Sequence, residues 1–323
     1  MRVTRSLLRT LTATAATGLL VLGSTLAPTY ATAAARTVST SPGCGTPAPQ
    51  TPGTSVLRSL TSQEITRTYQ LHLPAGYTSQ QSWPVVLAFH GRGGTGAEME
   101  GFSKLSTLPA IVAYPNGIIG TGGGNRQAWQ GAPYAAAGVD DVTFTSTLLN
   151  TLENSLCVDQ RRVYATGKSN GGGFTGLLAC RLADRIAAIA PVAAAFYPGT
   201  GDNCSPSRAV PVIDFHGTGD STIPYDGNVD RGLPAIQDWV FAWVVRDDCA
   251  RRASHQSIAP DISISLWGNC TGDAEVEHVA VAGGGHTWPG ADVDSGGSGD
   301  TTTQTIEAHE VLWDFVLRHQ LPS

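Results

Sequence analysis

Residues 163–171 read Val-Tyr-Ala-Thr-Gly-Lys-Ser-Asn-Gly, and they place the pattern G-x-S-x-G between an apolar run and a helical pattern. The apolar residues 163–166 predict a buried strand, and residues 171–182 predict the helix that follows it. A serine between such a strand and helix sits on a tight turn that exposes its hydroxyl. The stretch therefore predicts a nucleophilic Ser169 in a strand–turn–helix unit of an α/β protein.

Two nucleotide-binding patterns also occur in the sequence, and both fail on the residues around them. Gly-Lys-Ser at 167–169 matches the end of a P-loop, but position 162, where that motif needs glycine, is Arg162. Residues 91–96 spell G-x-G-x-x-G after an apolar strand. The next strand candidate ends at Pro115 and Asn116, without the acidic residue that would bind a ribose. Nucleotide binding is therefore not predicted.

Short apolar runs alternate with helical patterns along the rest of the chain. The strand candidates are 66–73, 85–90, 111–114, 163–166, 187–192, 210–215, 262–266 and 276–281, and the helix candidates are 141–156, 171–182, 236–246 and 303–319. Nearly continuous apolar strands indicate a parallel sheet that is covered on both faces. We expect one α/β domain over residues 56–323, with a mostly parallel central sheet and helices on both sides.

The N-terminal residues predict export. Three arginines within the first nine residues precede an apolar stretch and small-residue cleavage sites at 31–35, as in a signal peptide over residues 1–35. A membrane anchor is the alternative, but the apolar run is short and has no stop-transfer flank. Residues 36–55 are rich in Pro, Gly, Ser and Thr and predict a flexible leader. The mature chain is expected to be extracellular and free of the membrane.

Charge and cysteine content narrow the possible partners. The 20 Lys and Arg residues face 26 Asp and Glu residues, a net charge of −6 without basic clusters, so nucleic acid is not an expected partner. All 6 cysteines follow the signal peptide, and an even number in an exported chain predicts disulfides. No CxxC spacing supports a metal site. We expect a monomer with three disulfides.

A serine nucleophile in this class of fold is followed along the chain by an acid and then by a histidine. His286 lies in a glycine-rich turn after the last strand candidate, where its ring can reach the serine. Asp220 follows the strand at 210–215 and belongs to the same carboxyl edge of the sheet. Asp214 is the main rival, but it lies inside that strand. We expect the catalytic residues to be Ser169, Asp220 and His286.

The glycine-rich turn His90-Gly91-Arg92-Gly93 follows the strand at 85–90. A loop at this position donates one backbone N–H to an oxyanion hole, and the residue after the nucleophile donates the other. We expect Arg92 and Asn170 to be these donors. A plain tight turn is the alternative interpretation.

Several of these motifs together resemble the feruloyl esterases of carbohydrate esterase family 1, which are related to the polyhydroxybutyrate-depolymerase-like esterases. The resemblance rests on residues 157–174, which include Cys157-Val158-Asp159 and the run Gly-Lys-Ser-Asn-Gly-Gly-Gly-Phe, and on Leu-Ala-Cys at 178–180. It also rests on Phe-His-Gly-Thr-Gly-Asp at 215–220 with Ile-Pro-Tyr at 223–225, and on Gly-His-Thr-Trp-Pro-Gly at 285–290.

The resemblance implies an α/β-hydrolase fold, the triad Ser169–Asp220–His286, no metal and no cofactor. It further implies hydrolysis of ferulate esters on plant arabinoxylan, so the partner would be a feruloylated polysaccharide or a small phenolic ester. Acetylated xylan and short polyhydroxyalkanoates are the alternative substrates. A carbohydrate-binding protein without catalysis is the more remote alternative, because all three triad residue types occur in the required order.

The predicted fold also suggests cysteine pairs. Cys157 precedes the nucleophile strand and Cys180 ends the helix after it, so the two should share the amino edge of the sheet. Cys249 and Cys270 bracket the strand at 262–266. By elimination Cys44 would pair with Cys204.

Aromatic residues near the predicted site suggest how a phenolic ring could be bound. Trp129, Tyr225 and Trp288 lie in or near loops of the active edge and could stack on the ring of a substrate. The alternative is that they pack beneath those loops. Arg126 could contact a sugar or a carboxylate.

Overall fold

The computed structural model describes residues 40–122, 124–201, 203–295 and 300–322. The predicted signal peptide and the first residues of the predicted leader lie outside the described residues. Within the described part of the chain no helix is both long and apolar enough to cross a membrane.

A ten-stranded sheet forms the centre of the domain. Its strands are β1 (Ser55–Ser62), β2 (Ile65–His72), β3 (Trp83–Phe89), β4 (Ile111–Pro115), β7 (Val158–Lys168), β8 (Ala188–Val192), β9 (Val212–Gly217), β10 (Ser254–Ala259), β11 (Ile262–Trp267) and β12 (Val276–Val281). The short strands β5 (Ile118–Ile119) and β6 (Gln127–Ala128) pair separately. The order across the sheet is β1-β2-β4-β3-β7-β8-β9-β12-β11-β10. The six central strands from β4 to β12 are parallel, and the two strands at each edge are antiparallel.

Within the described residues five helices cover the two faces of this sheet. They are α1 (Gly96–Ser103), α2 (Asp141–Ser155), α3 (Asn170–Arg181), α4 (Ile236–Arg246) and α5 (Ala308–Val316). Apolar residues of α2, α3 and α4 join one buried cluster, and those of α1 and α5 join the other. Strand β3 contributes Val85, Leu87 and Phe89 to the first cluster and Val86 and Ala88 to the second. This alternation is the period-two pattern of a strand covered on both faces, and it confirms the predicted fold class.

Four elements differ from the prediction. Helix α1 was not predicted; it begins with a capping box in which the side chain of Thr95 accepts from Glu98 N and Glu98 accepts from Thr95 N. Helix α5 begins at Ala308 rather than at 303. The side chains of Thr303 and Thr305 donate to Asp261 instead, which holds this segment as a loop. The edge strands β1 and β10 were also missed, because their half-exposed residues lack a long apolar run.

The disulfides in the structure contradict two of the three predicted cysteine pairs. The structure joins Cys44 to Cys157, Cys180 to Cys204 and Cys249 to Cys270. Only the last pair was predicted; the pairs Cys157–Cys180 and Cys44–Cys204 are wrong.

The reason lies in the predicted leader at 36–55, whose described part is hydrogen-bonded to the start of β7. Ser41 N donates to Val158 O, and the Ser41 hydroxyl donates to Leu156 O at 2.6 Å. These bonds carry Cys44 to the start of β7, where it meets Cys157.

Candidate active site

Ser169 stands on a sharp turn between β7 and α3. Its backbone has φ 57° and ψ −121°, a left-handed conformation that is strained for any residue other than glycine. The turn leaves Ser169 partly exposed between the buried residues Lys168 and Asn170. The strand–turn–helix setting expected from the sequence is therefore present.

The glycines on either side of Ser169 are required by close backbone contacts. A Cβ atom on Gly167 would lie 2.6 Å from the carbonyl of Gly171 and 2.8 Å from Phe89 O. A Cβ atom on Gly171 would lie 2.2 Å from Phe89 O and 2.5 Å from His90 O. Side chains cannot fit at either position, so the G-x-S-x-G pattern follows directly from how closely β3, β7 and α3 approach one another.

His286 and Asp220 come from two loops that follow β12 and β9, at the carboxyl edge of the parallel strands. His286 Nδ1 donates to Asp220 Oδ2 at 2.7 Å, and His286 N donates to Asp300 Oδ2 at 2.8 Å. Ser169 and His286 line the same cavity. The structure thus brings together the three residues that the sequence pointed to. The rival Asp214 accepts from His278 at 2.9 Å inside the sheet and is not part of this cluster.

Asp220 is held by donors on both of its oxygens. The Thr222 and Ile223 N–H groups donate to Oδ1 at 2.9 and 2.8 Å, and His216 Nε2 lies 3.3 Å from Oδ2. Burial would raise the pKa of Asp220, but hydrogen bonds from His216 and His286 outweigh it and hold that pKa well below its usual range. Asp220 is therefore an anion at neutral pH and can stabilise a charged His286.

The pKa of His286 is lowered. Its largest cause is burial, which disfavours the charged ring, and the positive charge of Lys168 acts in the same direction. The hydrogen bond to Asp220 opposes both effects. A neutral ring at neutral pH is what a general base requires, because only the neutral form can accept a proton.

The turn after β3 approaches Ser169 closely. A Cβ atom on Gly91 would lie 3.3 Å from Ser169 Cβ. The N–H groups of Gly93 and Gly94 already donate to Gln127 O and Gly91 O. Within the described residues the Arg92 N–H makes no such bond.

His90 fixes the orientation of this turn. Its Nε2 atom accepts from Gly117 N at 3.0 Å, so Nδ1 carries the proton and donates to Gly91 O at 2.7 Å. Burial lowers the pKa of His90 to about 4, which keeps the ring neutral. Because the C=O and N–H of one trans peptide point in opposite directions, anchoring Gly91 O turns the Arg92 N–H away from His90. This geometry favours Arg92 as one oxyanion donor, beside the N-terminal N–H of Asn170.

A cavity of about 830 Å³ opens over Ser169 and His286. The residues that line it include Phe102, Tyr134, Tyr197 and Ile223. None of the three aromatic residues predicted to bind substrate lies among them.

Each of the three predicted aromatic residues packs elsewhere, so that prediction is wrong. Trp129 is fully buried, stacks on Phe174 and donates its indole N–H to His90 O at 2.9 Å. Trp288 is buried against Phe102. The Tyr225 hydroxyl bonds to His278 Nε2 at 2.7 Å.

Tyr197 and Tyr134 are the aromatic residues that the sequence analysis missed. Their rings meet edge to face, with centroids 5.6 Å apart. Tyr197 lies a few residues beyond β8, a central parallel strand, so the argument that located Asp220 could also have located it. Tyr134 lies in the irregular segment between β6 and α2, where no periodic pattern marks a position. Among the described residues no cluster of His, Cys, Asp or Glu is arranged to hold a metal ion.

Comparisons with known proteins relate the chain to esterases. No model of a protein family matches it. It is 30% identical to feruloyl esterase B of Piromyces equi over 262 residues, which are 77% of this chain and 44% of that protein. It is 28% identical to feruloyl esterase C of Emericella nidulans over 198 residues, 58% of this chain and 65% of that protein. The chain thus spans less than half of the first relative and about two thirds of the second.

A related arrangement of the backbone occurs in solved structures. The acetyl xylan esterase from Aspergillus awamori superposes with a TM-score of 0.51 at 16% identity, covering 72% of this chain and 94% of that one. At this identity the likeness shows the fold alone. Together with the sequence relatives it confirms the predicted resemblance: the chain is a homologue of feruloyl esterase-like proteins and has the α/β-hydrolase fold.

Proposed function

We propose that this protein is a secreted serine carboxylic ester hydrolase that releases ferulate from plant cell-wall arabinoxylan. The observation that carries the proposal is the 2.7 Å hydrogen bond between His286 and Asp220 at the cavity that also exposes Ser169. The sequence relationship to proteins named feruloyl esterase supports the choice of ester.

In the proposed mechanism the Ser169 hydroxyl attacks the ester carbonyl while His286 takes its proton. The carbonyl oxygen becomes an anion that the N–H groups of Arg92 and Asn170 stabilise. His286 then gives the proton to the leaving alcohol, and a covalent acyl-enzyme remains on Ser169. A water molecule activated by His286 hydrolyses this intermediate. Asp220 stays ionised throughout and stabilises the imidazolium form of His286.

The cavity supports an aromatic acyl group. Tyr134 and Tyr197 line the same cavity as the nucleophile, and Phe102 adds an apolar surface. Aromatic pairs of this kind add about 0.5–1.5 kcal/mol beyond the burial of their area. Burial is the largest cause that raises the pKa of Tyr134, so its hydroxyl stays protonated and can donate to an oxygen of a phenolic ring.

Acetylated xylan is the second candidate substrate. A bifunctional acetylxylan esterase/xylanase of Neocallimastix patriciarum is 25% identical over 250 residues, 76% of this chain and 32% of that protein. An acetyl group would fill only a small part of a cavity of about 830 Å³, so the size of the cavity favours a larger acyl group.

Turnover of matched esters tests the proposal. The protein should release ferulate from methyl ferulate and from feruloylated arabinoxylan, with kcat/KM at least about tenfold above that for acetylated xylan. Ser169→Ala should lower kcat by several orders of magnitude. Hydrolysis of acetyl esters alone would overturn the feruloyl assignment, and full activity of Ser169→Ala would overturn the choice of nucleophile.

Export is part of the same proposal. Three disulfides within the described residues and the charged, apolar and small-residue order of residues 1–35 support an oxidising, extracellular location. Expression in an exporting host should release the protein into the culture medium. Its N-terminus, determined by mass spectrometry, should lie near residues 33–36. An uncleaved, cell-associated chain would contradict this.

A further inference from the structure

Among the described residues, four cationic side chains line the cavity over Ser169, although the chain as a whole is acidic. The four are Arg92, Arg126, Lys168 and Arg231. The acidic side chains of the lining are Glu98 and Asp294, and Glu98 is already engaged in capping α1. The remaining surface of a chain with net charge −6 is correspondingly more negative. This concentration of positive charge is not required by ester hydrolysis, since a neutral ester needs only the oxyanion donors.

Lys168 is the most informative of the four. Its side chain is 3% exposed and lines the cavity, and its ammonium group forms no hydrogen bond or ion pair with any described residue. The chain has one other lysine, Lys104, which is paired with Asp292 and Glu307 at the surface. Burial is the main reason why the pKa of Lys168 falls to about 8, and the negative charges of Asp220, Asp294 and Asp300 oppose that fall. A carboxylate of a ligand in the cavity would add a direct hydrogen-bonded partner for this ammonium.

The three arginines are placed to act with it. The Arg92 guanidinium lies 4.1 Å from the centre of the Tyr134 ring and donates to Gly122 O. Arg231 donates to Thr222 O and to the hydroxyl of Tyr197. These contacts fix both guanidinium groups beside the tyrosines.

Arg126 completes the set. It packs its aliphatic stem close to Gly93, and its guanidinium forms no hydrogen bond or ion pair within the described residues. Within the described residues Arg92, Arg126 and Arg231 form no ion pair with a carboxylate, whereas the charges of Asp220, Asp294 and Asp300 act on Lys168.

We propose that this cavity selects esters that carry a carboxylate, which is held by Lys168 and the neighbouring arginines while Ser169 attacks the ester carbonyl. This inference rests on the proposed function and narrows its substrate class. Guanidinium groups bind carboxylates through paired hydrogen bonds, and a buried ammonium adds a strong point charge. The carboxylate can belong to the alcohol side, as a uronic acid of the polymer, or to the acyl side.

Three matched esters separate these cases. They are methyl ferulate, which is neutral; methyl 4-carboxycinnamate, with a carboxylate on the acyl side; and a feruloyl ester of a uronic-acid-containing oligosaccharide, with a carboxylate on the alcohol side. We expect kcat/KM for one of the carboxylated esters to exceed that for methyl ferulate by about tenfold at low ionic strength. The advantage should shrink in about 1 M NaCl, where the Debye length is about 3 Å.

Two substitutions test the residues. Arg126→Gln, at an exposed position, and Lys168→Met, which keeps an apolar stem in a buried position, should each lower the ratio of kcat/KM for the carboxylated ester to that for methyl ferulate. Arg252→Gln is the matched control, because Arg252 is exposed and lies outside the cavity; it should leave the ratio unchanged. A lower ratio of kcat/KM for the carboxylated ester to that for methyl ferulate in Arg126→Gln supports the inference even if Lys168→Met does not fold.

The outcomes distinguish this inference from the proposed function. Hydrolysis of methyl ferulate as fast as or faster than both carboxylated esters overturns the inference and leaves the esterase assignment intact. A preference that neither Arg126→Gln nor Lys168→Met reduces also overturns it. If none of these esters and no simple acetyl ester is hydrolysed, the proposed function falls and the inference falls with it.

Discussion

His286 and Asp220 are joined by a 2.7 Å hydrogen bond between Nδ1 and Oδ2, and both side chains are almost fully buried. The bond fixes the tautomer of the ring, because Nδ1 carries the proton and Nε2 is left free to accept one. The two residues lie in loops after different strands, so the bond exists only when the centre of the sheet is assembled.

The first prediction concerns this bond. Asp220→Asn keeps the shape of the side chain but presents an amide that favours the wrong tautomer of His286. We expect kcat for methyl ferulate to fall about 10⁴-fold, as such a change does in serine hydrolases with this triad, and the urea midpoint to fall as well, because an amide cannot accept on both sides as the carboxylate does. Steady-state kinetics and equilibrium unfolding measure the two effects. A variant within tenfold of the native rate would show that another acid orients His286.

The second prediction concerns pH. Burial and the charge of Lys168 lower the pKa of His286, and the base must be neutral to act. Activity therefore persists into more acidic solution than an ordinary histidine would allow. The acid limb of kcat/KM should have its midpoint below about 6.5. Lys168→Met removes a positive charge that disfavours the imidazolium, so the midpoint should move upward. An unchanged or lower midpoint in that variant would contradict the described electrostatics.

The third prediction concerns the glycine after the nucleophile turn. An added methyl group in Gly171→Ala would overlap the carbonyl oxygens of Phe89 and His90. We expect the free energy of unfolding to fall by about 1–3 kcal/mol, measured by urea denaturation, together with a loss of activity. Gly268→Ala is the matched control, because a Cβ atom there has no neighbour within 4 Å and its φ is not positive. Equal stability of the two variants would refute the close approach of β3 and α3.

The fourth prediction separates the aromatic residues that line the cavity from those that support it. Tyr134→Ala should raise KM for methyl ferulate by about tenfold and change hydrolysis of 4-nitrophenyl acetate much less. Trp129→Phe removes the indole N–H that bonds to His90 O, so it should lower the free energy of unfolding by about 1–3 kcal/mol. It should leave the ratio of the two substrates unchanged. A changed ratio of the two substrates in Trp129→Phe, with an unchanged ratio in Tyr134→Ala, would show that Trp129 rather than Tyr134 contacts the substrate.

The sequence located the cluster of Ser169, Asp220 and His286 because each residue follows a central parallel strand. The carboxyl ends of such strands meet at one edge regardless of the loops between them. Apolar periodicity also predicted most of these strands and the helices α2, α3 and α4. These features depend on local patterns that one sequence contains.

The predictions failed for residues whose position depends on packing between segments that are distant in sequence. Cys44 meets Cys157 because Ser41 forms hydrogen bonds with the start of β7. No local sequence pattern predicts that contact. Trp129 and Tyr134 lie in the same irregular segment before α2, yet one is buried beneath the turn after β3 and the other lines the cavity. Which ring faces substrate depends on the path of that loop, which residue type alone does not determine.

The parallel centre of the sheet has a consequence for how activity returns after denaturation. Strands β7, β9 and β12, whose ends present Ser169, Asp220 and His286, are distant in sequence and are joined by few local contacts. Such high contact order makes refolding slow. Regain of ester hydrolysis should therefore lag behind regain of helical circular dichroism, because the catalytic cluster is complete only when all three strands are in place.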